Sequence, residues 1–377
     1  MAEPLRVAII GAGHRSRTLY GPILRALPDD VTLVSVWGRS ADSARRLGED
    51  WGVPWYTDLE RLVRETAPQI GIVSVSYDAN GQVGLMALEH GLHVLLETPI
   101  AHKLSEADAI IAAAQARGLK IEVAEQYHRY PIEQIKLKLL ATGLFGRVTV
   151  SMNDFLCHAY HGVSVMRSYL GFEARPVQVT GAVRQYSLAP RGPYTARTET
   201  QEHGLVDFED GRLGIFHYTN VNYGAPQRWW GSSRFLAERG MGVTEGLGAE
   251  VRDWLTLTSD DEEAPRPVVL EWRRERPGSH TLTALIARTG DPNIPVVRWD
   301  NPFPPHPQGG SLQWGDDDIA VAGCLMSLVN ALRSGSEPTY GPHQARRDQE
   351  IIVALRQSSL AGGQPIPLPF DPAAQTV

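Results

Sequence analysis

The first third of the chain alternates short apolar runs with segments of helical periodicity. The runs LRVAII, VTLVSVW, IGIVSVS and HVLLE are separated by stretches whose apolar positions recur at helical spacing. Strands that are apolar at consecutive positions are typical of a parallel sheet covered by helices on both faces. The pattern therefore predicts a doubly wound α/β domain of the Rossmann type over residues 1–125.

The pattern changes at Pro131, where a helix is expected to begin. Later segments such as RVTVSMNDF, PVQVTGAVRQY and RLGIFHYTNV alternate apolar and polar positions, and Asp210-Gly211 supplies a turn. We predict an α+β domain over residues 126–377, with a mostly antiparallel open sheet and helices on one face. Residues 258–312, rich in Pro, Gly and acids, are expected to form long loops and edge strands. Two final helices are expected to pack back on the first domain.

Composition and charge narrow the class of protein. The 377-residue chain has 42% hydrophobic and 21% charged residues and a net charge of −7. The length predicts two cores, and the acidic balance argues against a nucleic-acid or anionic-membrane partner. No apolar run reaches the length of a membrane span, and the strand near the N-terminus leaves no room for a signal peptide. The two cysteines, Cys157 and Cys324, lie far apart, so we expect free thiols and a cytoplasmic location.

A glycine-containing turn follows the first strand. Gly11 and Gly13 lie between LRVAII and a helical segment, and Ser16 stands where such motifs have a third glycine. This arrangement lets the backbone approach a pyrophosphate closely. We therefore predict a dinucleotide site that includes His14 and Arg15. The alternative is an ordinary strand-to-helix turn without a ligand.

The end of the second strand bears on the choice of cofactor. It reads Trp37-Gly38-Arg39-Ser40, without the acid that usually binds the ribose hydroxyls of NAD. An arginine and a serine favour a 2′-phosphate, so the predicted cofactor is NADP or NAD, with NADP favoured. In the alternative interpretation Arg39 stacks on the adenine, which is compatible with NAD.

The order of these motifs resembles the Gfo/Idh/MocA family (glucose–fructose oxidoreductase, inositol dehydrogenase, MocA). The resemblance runs from GAGHRS through ALEHGLHVLLETP and RYP to HGVSVMRSYLG and LVNALRSGSEPTYGPHQARRDQEIIVAL. It implies an NAD(P)-binding Rossmann domain and a C-terminal domain whose open sheet borders the substrate pocket and faces a partner subunit. It also implies hydride transfer on sugars, polyols or related cyclic compounds by a homodimer or homotetramer.

Two catalytic positions depart from that family. The resemblance implies Glu-Lys-Pro after a strand, with the lysine on the substrate hydroxyl, but this chain has Glu97-Thr98-Pro99. The family also places an aspartate four residues before a histidine, and the matching positions here are Cys157 and His161. Both the catalytic cation and the usual orienting carboxylate are therefore expected to be absent, while the nucleotide site is kept.

His161 is the predicted acid–base residue because a neutral imidazole accepts a hydroxyl proton near pH 7. The alternative is a structural histidine at a helix start. Thr98, Tyr160 and His158 are predicted to supply hydrogen bonds in place of the lysine. Lys103 lies on the next helical segment and is expected to be solvated.

Further cofactor contacts are implied by the resemblance. Glu97 would position the cofactor, with a helix-capping role as the alternative, and Tyr77 and Asn80 lie in the loop that passes the nicotinamide ribose. Either His128 or Arg129 would lie near the nicotinamide. The predicted cofactor-binding residues are Gly11, Gly13, His14, Arg15, Arg39, Ser40, Ser76, Asn80, Glu97 and Gln126.

A metal site and a sugar-stacking surface are weaker hypotheses. Closed zinc sites need paired ligands at close spacing, and only one close cluster occurs here, so no metal is predicted. Trp229 and Trp230 are candidates for stacking on a sugar ring or for a subunit contact. The candidate metal ligands are Cys157, His158, His161, Glu202, His203 and His217.

Three functions follow from these residues. The favoured hypothesis is an NAD(P)-dependent oxidoreductase that acts on a CH–OH or carbonyl carbon of a sugar-like or cyclic polyol. The second is an enzyme that retains its nucleotide and catalyses net non-redox chemistry, by elimination or glycoside cleavage through transient oxidation. The third is a nucleotide-binding sensor without catalysis.

Overall fold

The first sheet contains six parallel strands in the order β3-β2-β1-β4-β5-β6. The computed structural model describes residues 3–154, 158–189, 197–221, 231–246, 252–258 and 264–370. The strand order changes direction between β1 and β4, and open α/β sheets bind ligands in the crevice outside such a point. The strands are β1 (Leu5–Ile10), β2 (Val31–Trp37), β3 (Trp55–Tyr56), β4 (Ile70–Val73), β5 (His93–Leu96) and β6 (Ile121–Val123).

Helices cover both faces of this sheet, which confirms the predicted Rossmann domain. Val7 and Ile9 of β1 belong to a core cluster that continues into the second domain, whereas Ala8 and Ile10 pack with residues of α3, α4 and α5. Successive residues of a strand face opposite sides of the sheet, so both faces of β1 are buried. The helices are α1 (Gly21–Ala26), α2 (Ala41–Trp51), α3 (Leu59–Thr66), α4 (Asn80–Glu89) and α5 (Leu104–Arg117).

The second sheet contains eleven described strands in the order β16-β15-β14-β13-β12-β11-β7-β10-β9-β8-β17. Strands β7 and β10 are parallel, and the other described pairs of this sheet are antiparallel, as predicted. The strands on one side of β10 are β7 (Val148–Asp154), β11 (Ser232–Ala237), β12 (Gly240–Glu245), β13 (Arg252–Leu257), β14 (Arg266–Arg274), β15 (Leu282–Arg288) and β16 (Val296–Asp300). The others are β8 (Pro176–Ser187), β9 (Thr198–Phe208), β10 (Leu213–Thr219) and β17 (Ile366–Pro367).

The edge strands expected within residues 258–312 are β14, β15 and β16. They extend one end of the sheet, with β16 outermost among the described strands. On the same side of the fold, α6 packs against β15 and β16, while α7 and α9 pack on the central strands. The helices of this domain are α6 (Pro131–Ala141), α7 (Ala159–Leu170), α8 (Asp316–Ser334) and α9 (Pro342–Leu360).

The last two helices pack against the first domain. Helix α8 contacts β5 and β6, and α9 contacts α5. Arg346 Nε donates to Asp108 Oδ1 at 2.6 Å, and Arg333 Nη1 donates to Asp30 Oδ1 at 2.6 Å. Within the described ranges, no helix has the length and apolar character that a membrane crossing requires. The two domains share one continuous hydrophobic core.

Candidate active site

The turn after β1 has a backbone that only glycine fits. Gly11 has φ +120°, and a Cβ there would lie 2.0 Å from the Ser74 carbonyl oxygen. At Gly13 an added Cβ would meet nothing within 4 Å, so the backbone is open to close approach. The hydroxyl of the buried Ser16 donates to the Gly11 carbonyl and braces the turn in place of a third glycine.

A cleft of about 780 Å³ runs from this turn to the start of α7. Its volume lies within the ordinary range for small-molecule and cofactor sites. Nearly all of the predicted site residues border it. The lining residues include Gly11, Gly13, His14, Arg15, Trp37, Arg39, Ser40, Ser43, Ser76, Glu97, Thr98, Gln126, Tyr127, Tyr130, His158, Tyr160, His161 and Asp317.

Asn80 is the predicted cofactor residue that does not line the cleft. Its side chain is buried, and Nδ2 donates to the carbonyl oxygens of Glu97 and Pro99 at 2.5 and 2.8 Å. Asn80 thus holds the turn that carries Thr98. Tyr77, in the same loop, also lies outside the lining and contacts the His102 ring edge-on at 5.0 Å.

A nicotinamide dinucleotide fits the residues along this cleft. The open backbone at Gly13 suits a pyrophosphate. Gln126 also lines the cleft, and its buried Oε1 accepts no hydrogen bond among the described residues, which leaves an acceptor for a ligand donor. Arg39 and Ser40 of the lining follow β2, whereas its two acids lie on other elements: Glu97 follows β5, and Asp317 is in the first turn of α8.

Glu97 is held against the first sheet by two donors. The Arg15 guanidinium forms an ion pair with its carboxylate, and Tyr20 Oη donates to Oε1 at 2.6 Å. Burial by itself would lower the pKa of Arg15, but the charges of Glu97 and Tyr20 and the hydrogen bond to Glu97 together outweigh it, so that pKa lies above its ordinary value. Burial and the same carboxylate raise the pKa of Tyr20 well above its usual range. Both donors therefore remain protonated.

His161 lies in the first turn of α7 among aromatic rings and one carboxylate. Its Nδ1 is 2.6 Å from Glu125 Oε2, and its ring stacks on Tyr127 at 4.2 Å. Tyr160 meets the imidazole edge-on at 4.5 Å, and His158 lies 5.7 Å from it between ring centroids. The four side chains predicted for catalysis, Thr98, His158, Tyr160 and His161, thus border one cavity.

The carboxylate that the family places four residues before the histidine is absent from the sequence, but a different carboxylate contacts His161. Cys157, which takes the family's aspartate position, lies outside the described residues. Glu125 reaches His161 instead, from the chain that leaves β6. Glu125 was not predicted because it lies 36 positions before His161 and outside the family motif. Its place at the carboxyl edge of a parallel strand was the signal that could have found it.

The side chains of Tyr127, Tyr130 and Asp317 line the cleft and were not predicted as site residues. Tyr130 Oη donates to Asp317 Oδ1 at 3.1 Å, which joins the residue before α6 to the first turn of α8. No sequence motif marks Asp317, because it reaches the cleft only through the packing of α8 on β5 and β6. Lys103 is exposed and lies outside the cleft lining, as expected.

The two residues considered for the nicotinamide end, His128 and Arg129, are interior residues outside the lining. Arg129 Nη2 donates to the buried Glu122 at 2.5 Å. His128 packs against Phe172 and Tyr340 at 5.0 and 5.2 Å. Burial, followed by the charge of Arg129, lowers the pKa of His128 well below its ordinary value. Both side chains therefore support the fold rather than the cleft.

The candidate metal ligands do not converge. Among the described residues, no three His, Cys, Asp or Glu side chains are placed to hold a metal ion. His203 contacts the His217 ring at 4.9 Å, whereas neighbouring Glu202 accepts from Arg356 Nε at 2.9 Å on the opposite face. Cys157 lies outside the described residues, as do Trp229 and Trp230.

Comparisons with known proteins identify a family model and several relatives that resemble this chain. Residues 5–125 match the family model for the "Oxidoreductase family, NAD-binding Rossmann fold". The chain is 28% identical over 152 residues to the D-glucoside 3-dehydrogenase of Escherichia coli, which covers 40% of this chain and 43% of that one. It spans less than half the length of that relative and of other curated relatives that it matches.

Solved structures share the fold over the whole chain. An oxidoreductase domain protein from Kribbella flavida has a TM-score of 0.72 at 20% identity, covering 98% of this chain and 100% of that one. The WlbA dehydrogenase from Bordetella pertussis, solved with NADH and UDP-GlcNAcA, has a TM-score of 0.66 at 17% identity, with coverage of 98% and 100%. A Rossmann domain followed by a mostly antiparallel sheet domain is therefore the shared architecture, and most of the matched relatives are named as oxidoreductases.

Proposed function

We propose that this protein is an NAD(P)-dependent oxidoreductase of the Gfo/Idh/MocA family, with a catalytic set that lacks the family lysine. It transfers a hydride to or from a CH–OH or carbonyl carbon of a sugar-like or cyclic polyol. One observation carries the proposal: the glycine turn at Gly13 and the imidazole of His161 border the same cleft. The nucleotide site and the acid–base group therefore face the same cavity, as hydride transfer coupled to proton transfer requires.

The residues of the cleft divide the work of the reaction. A bound nicotinamide supplies the hydride acceptor or donor. His161 accepts the hydroxyl proton during oxidation and returns it during reduction. Thr98, Tyr160 and His158 offer hydrogen bonds to substrate oxygens. Loss of the family's cation costs about 10²–10³ in rate, so a carbonyl that is easily reduced is the better substrate.

NADP is the favoured cofactor. Arg39 and Ser40 border the cleft directly after β2, and neither lining carboxylate comes from that strand. A guanidinium beside a hydroxyl suits a 2′-phosphate, whereas the ribose diol of NAD is usually bound by an acid.

The side chains around His161 and the names of two related proteins support a sugar-like substrate. Tyr127, Tyr130 and Tyr160 line the cleft near His161, and aromatic side chains present apolar faces together with hydroxyl groups. One matched relative is named a D-glucoside 3-dehydrogenase, and one structural neighbour was solved with a nucleotide sugar.

We also propose that two copies associate through the open face of the second sheet. Cross-strand partners share a face, and the register joins Leu205, Ile215, Met152, Arg234, Val243 and Trp254 in one row. Phe216 and Gly204, in the alternate positions, face α7 and α9. Trp254 is 64% exposed and Leu205 is 44% exposed, so the two ends of the row present apolar surface that a second copy would bury.

Cofactor titration tests the proposed function directly. Purified protein is titrated with NADH and with NADPH while the fluorescence of the reduced nicotinamide is recorded, and is then incubated with NAD or NADP and a panel of sugars and polyols. We expect exchangeable binding, tighter for NADP, and turnover of at least one polyol. A cofactor that never exchanges would instead favour the net non-redox function. Failure to bind either nucleotide would overturn both enzymatic functions.

A further inference from the structure

The contact between Glu125 and His161 crosses between the two domains. Glu125 lies two residues beyond β6, and His161 lies in the first turn of α7. Their side chains are almost fully buried, with 2.6 Å between Oε2 and Nδ1. A buried carboxylate is retained only where partners compensate its lost hydration, so this contact is not an incidental surface pair.

A hydrogen bond to the second carboxylate oxygen of Glu125 sets the orientation of this carboxylate. Oε1 accepts from the backbone N–H of Tyr127 at 3.0 Å, which directs Oε2 toward the imidazole. The Tyr127 ring stacks on the same imidazole with an interplanar angle of 21°. The carboxylate and the ring thus hold His161 from one short segment of chain, and they restrict both its position and its rotation.

We propose that Glu125 is the positioning residue of His161, in place of the carboxylate that position 157 does not supply. This inference rests on the proposed function. A carboxylate at Nδ1 favours the tautomer with the proton on Nδ1, so Nε2 is the nitrogen that exchanges a proton with substrate. Glu125 touches neither substrate nor cofactor in this role.

The proton and electron balance of the step follows from that tautomer. During oxidation the substrate O–H bond breaks and its proton goes to Nε2, while the C–H electron pair leaves as hydride to NAD(P)⁺. The C=O double bond forms from the electrons of the O–H bond. The imidazolium that results is stabilised by the Glu125 carboxylate, and reduction runs through the same steps in reverse.

The first experiment measures the tautomer and needs no turnover. The full chain labelled with ¹⁵N-histidine is examined by NMR under mildly alkaline conditions, in the wild type and in Glu125→Gln. We expect a single Nδ1–H tautomer for His161 in the wild type. In Glu125→Gln we expect a mixture, because an amide can accept from or donate to Nδ1. An Nε2–H tautomer in the wild type would overturn the proposal without any variant.

The second experiment separates positioning from stability. Glu133 is the matched control: it is a buried glutamate that accepts from Lys136 Nζ at 3.2 Å and Ser233 Oγ at 2.7 Å, away from the cleft. Glu125→Gln should lower kcat about 10- to 100-fold and leave KM within about twofold. Glu133→Gln should lower the unfolding midpoint but leave kcat and the His161 tautomer unchanged. Equal effects of the two variants on the tautomer and kcat would refute a specific role.

Glu125→Asp tests whether the loss of kcat in Glu125→Gln results from a folding defect. It keeps the negative charge and withdraws the carboxylate by one methylene, so we expect a smaller loss of kcat than in Glu125→Gln. A wild-type protein that turns over no polyol would contradict the proposed function, whereas the tautomer measurement decides the contact between Glu125 and His161 independently.

Discussion

Arg15 and Glu97 form an ion pair on the wall of the cleft, although they are 82 positions apart in the chain. Tyr20 donates to the same carboxylate, and Asn80 donates to the carbonyl oxygens on both sides of Thr98. Four polar contacts thus hold the turn between β5 and α5. The residue at position 98 therefore has a defined place in the cleft, whichever side chain it carries.

Replacing Thr98 with lysine should restore the cation that the resemblance implies. We expect Thr98→Lys to raise kcat for polyol oxidation by about 10²–10³, because an ammonium group stabilises the developing alkoxide. Steady-state kinetics with the substrates found in the polyol panel provide the measurement. Thr98→Met is the matched control of similar length without charge. Equal activity of the two variants would show that the pocket does not use a cation at this position.

Arg39 should determine the preference for NADP. We expect Arg39→Ala to raise the Kd for NADP about 10- to 100-fold, the range for losing a hydrogen bond to a charged group, with little change for NAD. Fluorescence titration with both nucleotides checks this. Arg46, exposed on α2 and outside the cleft lining, supplies the control variant Arg46→Ala. If Arg39→Ala weakens both nucleotides equally, the arginine binds the adenosine and does not discriminate.

The buried imidazole of His128 should make the fold sensitive to mild acid. Its pKa in the folded protein is well below the ordinary value, chiefly because of burial. Below about pH 6.5 the unfolded chain binds a proton that the folded chain does not, so stability falls as pH falls. The expected slope is about 1.4 kcal/mol per pH unit, down to the pKa of the folded state.

Urea unfolding at several pH values measures this slope. His128→Gln should remove the contribution, although it also lowers stability at neutral pH through poorer packing. His280 is exposed, so His280→Gln serves as the control and should leave the slope unchanged. If the unfolding free energy depends on pH equally in wild type and His128→Gln, groups other than His128 cause the acid sensitivity.

Trp254 should report on the proposed dimer. Trp254→Glu places a charge in the apolar row of the open face, and we expect the dissociation constant of the dimer to rise at least about 100-fold. Size-exclusion chromatography with light scattering gives the measurement. Trp55 is 38% exposed on β3 of the first sheet, so Trp55→Glu is the matched control. Dimers that persist in Trp254→Glu would exclude this face as the interface.

Sequence analysis predicted the long elements better than the short ones. The parallel strands were evident because both faces of β1 and β4 are apolar, and the glycine turn was evident because Gly11 has no substitute at its φ angle. The two-residue strand β3 and the following α3 were not predicted. Two residues of strand carry no periodicity, and their pairing with β2 depends on tertiary contact.

The sequence by itself determined the Rossmann domain, the glycine turn, the absence of lysine at position 98 and the location of His161 at a helix start. These properties follow from local periodicity and from backbone restrictions at single residues. Only the tertiary structure decided which side chains meet His161. Glu125 and Tyr127 contact His161 from the segment that follows β6, and Asp317 lines the cleft from α8. Such contacts depend on how distant elements pack, which no local pattern records.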